Sequence, residues 1–170
     1  MKKYLLGLLA AGAMHAQEKH EVKWNPVNTI AFGSVELGYE YFFDDSQSVG
    51  VEVHINDVYN WAVGRQAKDF KSTSVVASYA FYTGSDVGSG VMITPQMKFR
   101  GGHYQKTSGS PEVSLNSFML SIGAGYKWNL SGSFVFGPYG MIGRNFSQEI
   151  QDEFGTPVEF SVGFSVGLRF

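Results

Sequence analysis

Along residues 158–170, large apolar residues alternate with small or charged ones almost without a break. Val158, Phe160, Val162, Phe164, Val166, Leu168 and Phe170 stand against Glu159, Ser161, Gly163, Ser165, Gly167 and Arg169. A period of two predicts a β-strand whose faces meet different environments. The polar face is mostly Gly and Ser, whereas the bulky residues crowd the other face. That inverts the soluble pattern, in which large side chains fill the inside. It predicts a wall with lipid outside and a narrow, filled lumen inside.

The alternation recurs and predicts eight strands. The first covers 20–30, with Val22 and Trp24 opposite Glu21, Lys23 and Asn25, and with Pro26 as an irregularity. Segment 35–43 sets Val35, Leu37, Tyr39, Tyr41 and Phe43 against Glu36, Gly38 and Glu40. Segment 48–56 sets Val49, Val51, Val53 and Ile55 against Gly50, Glu52 and His54. Segment 72–82 carries Val75, Ala77, Tyr79 and Phe81 on one face, and 91–104 opposes Val91, Ile93, Met97 and Phe99 to Thr94, Gln96, Lys98 and Arg100. Segment 117–129 opposes Phe118, Leu120, Ile122, Ala124, Tyr126 and Trp128 to Ser121, Gly123, Gly125 and Lys127. The seventh, 134–147, has no assignable face, because Gly137, Pro138 and Gly140 blur its phase. The eighth is the terminal segment.

Short turns follow strands two, four and six; longer polar connections (57–71, 106–112 and 148–157) follow strands three, five and seven. The link after strand one, 31–34, is the exception on that side. An even count with this asymmetry predicts an antiparallel up-and-down transmembrane β-barrel with both termini at one end. Trp24, Tyr41, Phe43, Tyr79, Phe81, Tyr126, Trp128 and Phe170 then form one aromatic girdle, and Phe99, Phe118 and Phe160 lie near the other.

The beginning of the chain adds the route. Met1-Lys2-Lys3, an apolar stretch over 4–13 and the Ala-x-Ala-like Met14-His15-Ala16 predict a signal peptide over 1–16, too short to span a bilayer. Residues 17–170 remain as one barrel domain. Composition agrees. Charged residues are only 16 %, aromatics reach 15 % and there are 21 glycines, yet mean hydropathy is −0.09. Such a chain is aromatic and glycine-rich without an apolar helix, as expected when half of each strand faces lipid. There is no cysteine and no polybasic face, so neither a lipid-anchored cysteine nor nucleic-acid binding is expected.

The chain resembles small outer-membrane β-barrel proteins of the OmpA/OmpX-like superfamily, in particular short Bacteroidetes-type barrels. The carriers are the Lys-Lys signal ending in Ala16-Gln17, the opening Glu21-Val-Lys-Trp-Asn-Pro26, the Val35-Glu-Leu-Gly-Tyr-Glu-Tyr41 strand and the terminal Gly167-Leu-Arg-Phe170. The resemblance implies a bacterial outer-membrane location. It also implies an assembly signal in Val166, Leu168 and Phe170, read by the barrel assembly machinery. It implies a fold and leaves the function open.

The inward set holds Glu21, Glu36, Glu40, Glu52 and Glu159 with Lys23, Lys98, Arg100, Lys127 and Arg169, and His54 among them. Balanced charge predicts a salt-bridged, plugged lumen, since charges facing a low-dielectric interior must be paired. A narrow solute channel is the alternative, although an open selective pore more naturally carries an excess of one sign. A lipid-modifying enzyme would need a base beside a nucleophile, and His54 or His103 with Ser108 or Ser110 is the only set offered. No cofactor or metal site is expected. The expected partners are outer-membrane lipid and another envelope protein, the latter met by Tyr59, Trp61 and Phe70 in the 57–71 loop.

Overall fold

A computed structural model of the protein describes residues 19–57, 68–105, 109–130 and 133–170, without the side chains of 68–70. In chain order the elements are β1 (His20–Trp24), α1 (Pro26–Phe32), β2 (Val35–Asp44), β3 (Gln47–Ile55), β4 (Lys68–Tyr82), β5 (Gly90–Gln105), β6 (Val113–Ser114), β7 (Ser117–Asn129), β8 (Phe134–Asn145), α2 (Gln148–Phe154) and β9 (Val158–Arg169). Neighbours run β4-β3-β2-β1-β9-β8-β7-β5, and β4 pairs back onto β5, closing an eight-stranded antiparallel barrel. The two-residue β6 extends the pairing at one end of β5.

Alternation decides the faces. On β4, Ser74, Val76 and Ala80 are buried while Val75 and Phe81 are exposed. The other strands repeat this. The unassigned seventh segment resolves in the same way: Val135, Met141 and Asn145 face inward, and Ile142 is exposed on the outer side. Small residues on the inner face make room for long ones. A Cβ added at Gly38 would lie 2.7 Å from the Lys23 side chain, which crosses that position.

Each end of the barrel carries a small core of its own. His20 and Phe170 exchange backbone hydrogen bonds of 3.0 and 2.8 Å at what we call the lower end. There the 83–89 turn folds inward. The Gly88 N–H donates to the Asp45 carbonyl at 2.7 Å, and Val87 packs against Phe42, Ala80 and Tyr82. Gly88 has φ +52°, and an added Cβ would lie 2.1 Å from the Phe42 ring, so only glycine fits this approach. At the upper end Tyr104, Leu115 and Ile150 form a second small core with Val113 and Phe154. Two aromatic rows mark the outer face. Tyr126, Trp128, Phe136 and Phe164 run in successive contact low on the wall, and Phe99, Phe118 and Phe146 do so high on it.

Several expectations are corrected. The first segment is a five-residue strand followed by a seven-residue helix, not one strand over 20–30. Asn25 caps α1 by accepting from the Asn28 N–H at 3.1 Å, Pro26 occupies the first turn, and Gly33 ends the helix in the left-handed region at φ 69°. Those are strong start and stop signals, and they win over the period of two. Trp24 therefore lies at the top of β1 opposite Leu37 and Val166, away from the lower girdle, and its indole donates to Thr29 Oγ1 at 2.9 Å. β4 begins at Lys68, so Phe70 belongs to a strand and not to a loop. The 148–157 connection contains α2.

Candidate functional site

The lumen is the site. The inward positions of β1, β2, β3, β5, β7 and β9 bring the charged residues together in two tiers joined by a bridge. In the lower tier Lys127 Nζ lies 2.9 Å from Glu21 Oε1 and 3.1 Å from Glu40 Oε2, and it donates to Tyr82 Oη at 3.0 Å. Arg169 Nη2 reaches Glu21 Oε2 at 2.8 Å, and its guanidinium also donates to the carbonyls of Val87 and Gly88. The Glu40 carboxylate accepts from Ser48 and Tyr82 as well. Arg169 lies over the Phe42 ring at 4.8 Å, so the same cation seals the lower plug.

The bridge is Lys23, which lies 2.7 Å from Glu52 and 3.6 Å from Glu40. His54 Nε2 is 3.1 Å from Glu52 Oε2, and its Nδ1 is 3.8 Å from Asp57 Oδ1. The upper tier consists of Asp57, Lys98, Arg100 and Glu159. Lys98 Nζ lies 3.0 Å from Asp57 and 3.5 Å from Glu159, while Arg100 binds both carboxylates. Ser74 donates to Asp57. Burial alone would raise the Asp57 carboxyl, but Arg100 and Lys98 hold it well below the usual carboxylate range.

Glu36 stands apart from both tiers. Its partners are neutral donors: Asn25 Nδ2 at 2.8 Å, Asn28 Nδ2 at 2.7 Å and Tyr139 Oη at 2.8 Å. No cation is among its described partners. A cavity of about 70 Å³ lies between these groups, lined in part by Glu36, Thr94, Gln96, Tyr139, Ser161 and Ser165. One water needs on the order of 10–15 Å³, so this space suits a few ordered waters and not a continuous aqueous path.

Asp57, Asn25, Asn28, Tyr82 and Tyr139 are members of the lumen network that the pattern reading did not include. Asp57 sits just past β3, where alternation no longer reports facing, and Tyr139 lies on the strand whose phase was blurred. The Asn25-Pro26 pair was the available signal, as a helix start. The other candidates do not join this network. Phe170, Leu168 and Val166 lie on the outer face of β9. His103 is half-buried, with its Nε2 3.9 Å from Glu112, while His54 is buried beside Glu52 and Asp57. Tyr59, Trp61 and Ser108 lie outside the described residues, as does the side chain of Phe70.

No family model and no curated sequence matches the chain. Among solved structures it is similar to the N-terminal β-barrel domain of OprF from Pseudomonas aeruginosa, with a TM-score of 0.58 and 14 % identity over 89 % of this chain and 95 % of that one. The two share a fold, the closed antiparallel barrel of eight strands.

Proposed function

We propose that the protein is a small, closed outer-membrane barrel with a structural or surface-interaction role in the bacterial envelope, exported by way of its amino-terminal signal. The outer face supports the location. Leu37, Ile122 and Phe160 are 50, 53 and 50 % exposed on an apolar outer face that also carries two aromatic rows. Such a face in water invites aggregation, whereas in lipid it is the solvated surface. The carrying observation for the role is the lumen itself: Lys23, Lys98, Arg100, Lys127 and Arg169, its cations among the described residues, are each paired, and the lower mouth is filled by Val87, Phe42 and Tyr82. A barrel of this strand number is just wide enough to be filled by its own side chains.

Partner contact then falls to the upper end, with Tyr59 and Trp61 of the 57–71 segment and Phe70 near the start of β4 as the aromatic candidates for another envelope protein, and with Val166, Leu168 and Phe170 meeting the assembly machinery. The test is conductance in planar bilayers together with affinity recovery of envelope proteins from the native host. A silent barrel that recovers a defined partner, lost in Trp61→Ala, supports this reading. Steady unit conductance would replace it with a narrow channel for small solutes. A change in membrane acyl chains abolished by His54→Ala or His103→Ala would replace it with a lipid enzyme.

A further inference from the structure

The outer face of β5, β7, β8 and β9 carries a hollow with a charge at its upper edge. The hollow is a shallow apolar groove of about 490 Å³, floored by Ala124 and Gly140 and walled by Ile93, Ile122, Ile142 and Val162. Ala124 pairs with Gly140, and Gly140 with Val162, so the floor drops where branched side chains surround it.

Arg144 is the charge. Outward positions on β8 run Gly140, Ile142, Arg144, and Phe146 follows just past the strand. Same-face neighbours on a strand stand roughly 7 Å apart, so Arg144 is the next outward side chain above Ile142. It is exposed, and its guanidinium turns toward the rim, 5.8 Å from the centre of the Phe146 ring. Phe146 stacks on Phe118, which meets Phe99, and these rings form the upper aromatic row. Aromatic rows of this kind sit at the headgroup level of a bilayer. The lumen cations Lys98, Arg100, Lys127 and Arg169 each have a carboxylate. Among the described residues, no carboxylate pairs with Arg144.

We propose that this face binds a phosphate-headed acyl lipid of net negative charge, with the phosphate on Arg144 and one acyl chain in the groove below it. The proposal rests on reading the outer face as lipid-facing. Charge complementarity selects the head. A guanidinium fork matches two phosphate oxygens, and a cation at the margin of hydrocarbon gains from an anion that arrives with the lipid. A zwitterionic head brings its own ammonium and gains less. The apolar lining selects the chain. From Arg144 to Gly140 is four residues, roughly 13 Å along the strand. That is close to half of a hydrocarbon core about 30 Å thick, so a chain hanging from the phosphate reaches the groove floor within its own leaflet.

The test uses the folded protein in phosphatidylcholine vesicles doped with a photoreactive lipid, either phosphatidic acid or phosphatidylcholine, each with a diazirine midway along one chain. Labelled residues are mapped by peptide mass spectrometry. Phosphatidic acid should label the outward positions of β7, β8 and β9 about fivefold more than phosphatidylcholine does. Arg144→Gln should bring the two lipids level. Gly140→Leu should cut labelling by phosphatidic acid about fivefold by filling the groove. The site has room for that side chain, since a Cβ at Gly140 meets only Val162 Cγ1 at 3.7 Å and Ser161 O at 3.9 Å. Labelling spread evenly around the barrel, or concentrated beside exposed Lys71 on β4, would overturn the proposal. So would equal labelling by the two lipids, or a preference that survives Arg144→Gln. The two-lipid comparison on the unmodified protein decides even where a variant fails to fold. A protein that never enters the vesicles would instead overturn the membrane reading beneath it.

Discussion

Arg100 and Glu159 meet across the lumen in a two-pronged contact, Nη1 to Oε2 at 3.0 Å and Nη2 to Oε1 at 2.5 Å, while Arg100 Nε turns to Asp57 Oδ2 at 3.0 Å. A planar guanidinium matched to a carboxylate fork is the strongest pairing that side chains offer, and both partners are almost fully buried. Glu159→Ala removes a buried carboxylate that both Arg100 and Lys98 contact, leaving Asp57 as the one they share among the described partners. We expect it to destabilise the barrel by roughly 3–5 kcal/mol, read from urea unfolding in lipid vesicles. A loss below about 1 kcal/mol would mean that the pair behaves as an exposed one.

Asp57 makes the upper tier pH-sensitive. Arg100 and Lys98 hold its carboxyl low against burial, so its contribution is fully present above the unfolded carboxylate value of about 3.9. It is lost as pH falls through the folded value. Unfolding midpoints of the wild type should therefore hold through neutral pH and drop below about pH 4. Asp57→Asn should be less stable at pH 7 and lose less on acidification. Parallel curves for the two proteins would remove Asp57 from the balance.

The barrel was legible because alternation reports facing directly: Glu21, Lys98, Lys127 and Arg169 were placed by parity alone. Parity fails wherever the chain leaves the strand. Asp57 lies beyond the end of β3 and reaches the lumen through the turn, and the helix at Pro26 was hidden inside an apolar-polar run that looked like continued strand. Pairing is a further step that sequence does not carry. Lys127 and Glu21 are 2.9 Å apart in space but on strands brought together only by closure of the sheet. The seam between α1 and β9 follows from where β1 stops, and that is set by Asn25 and Pro26 together.

The lower plug can be opened by one residue. Gly88 sits at φ +52° against the Phe42 ring, and Gly88→Val adds both backbone strain and a clash. Strain in this region costs roughly 1–2 kcal/mol, and overpacking costs about 1–3 kcal/mol. The turn should be levered away from the mouth, freeing Val87 from Phe42 and Tyr82. We expect a lower unfolding midpoint and brief conductance bursts in planar bilayers where the wild type is silent. A variant as stable and as quiet as the wild type would show that the turn does not close the barrel.

Asn25 offers the sharpest separation between a simple helix cap and a wall fitting. As a cap it accepts from the Asn28 N–H; as a fitting it spends both amide hydrogens on Glu36 at 2.8 Å and Tyr139 at 2.6 Å. The two roles rank substitutions differently. For capping alone Asn and Asp are equivalent, and Ala costs about 1 kcal/mol. In the wall, Asn25→Asp keeps the cap acceptor but sets a second carboxylate against buried Glu36, with no cation among the described partners of either. Removing one of the three donors from that carboxylate costs a further 1–3 kcal/mol or so in Asn25→Ala. We therefore expect Asn25→Asp to be the more damaging change at pH 7. Unfolding midpoints of the three proteins at pH 7 check the order. If Asn25→Asp matches the wild type at pH 7, the amide only starts the helix, and Glu36 draws nothing from it.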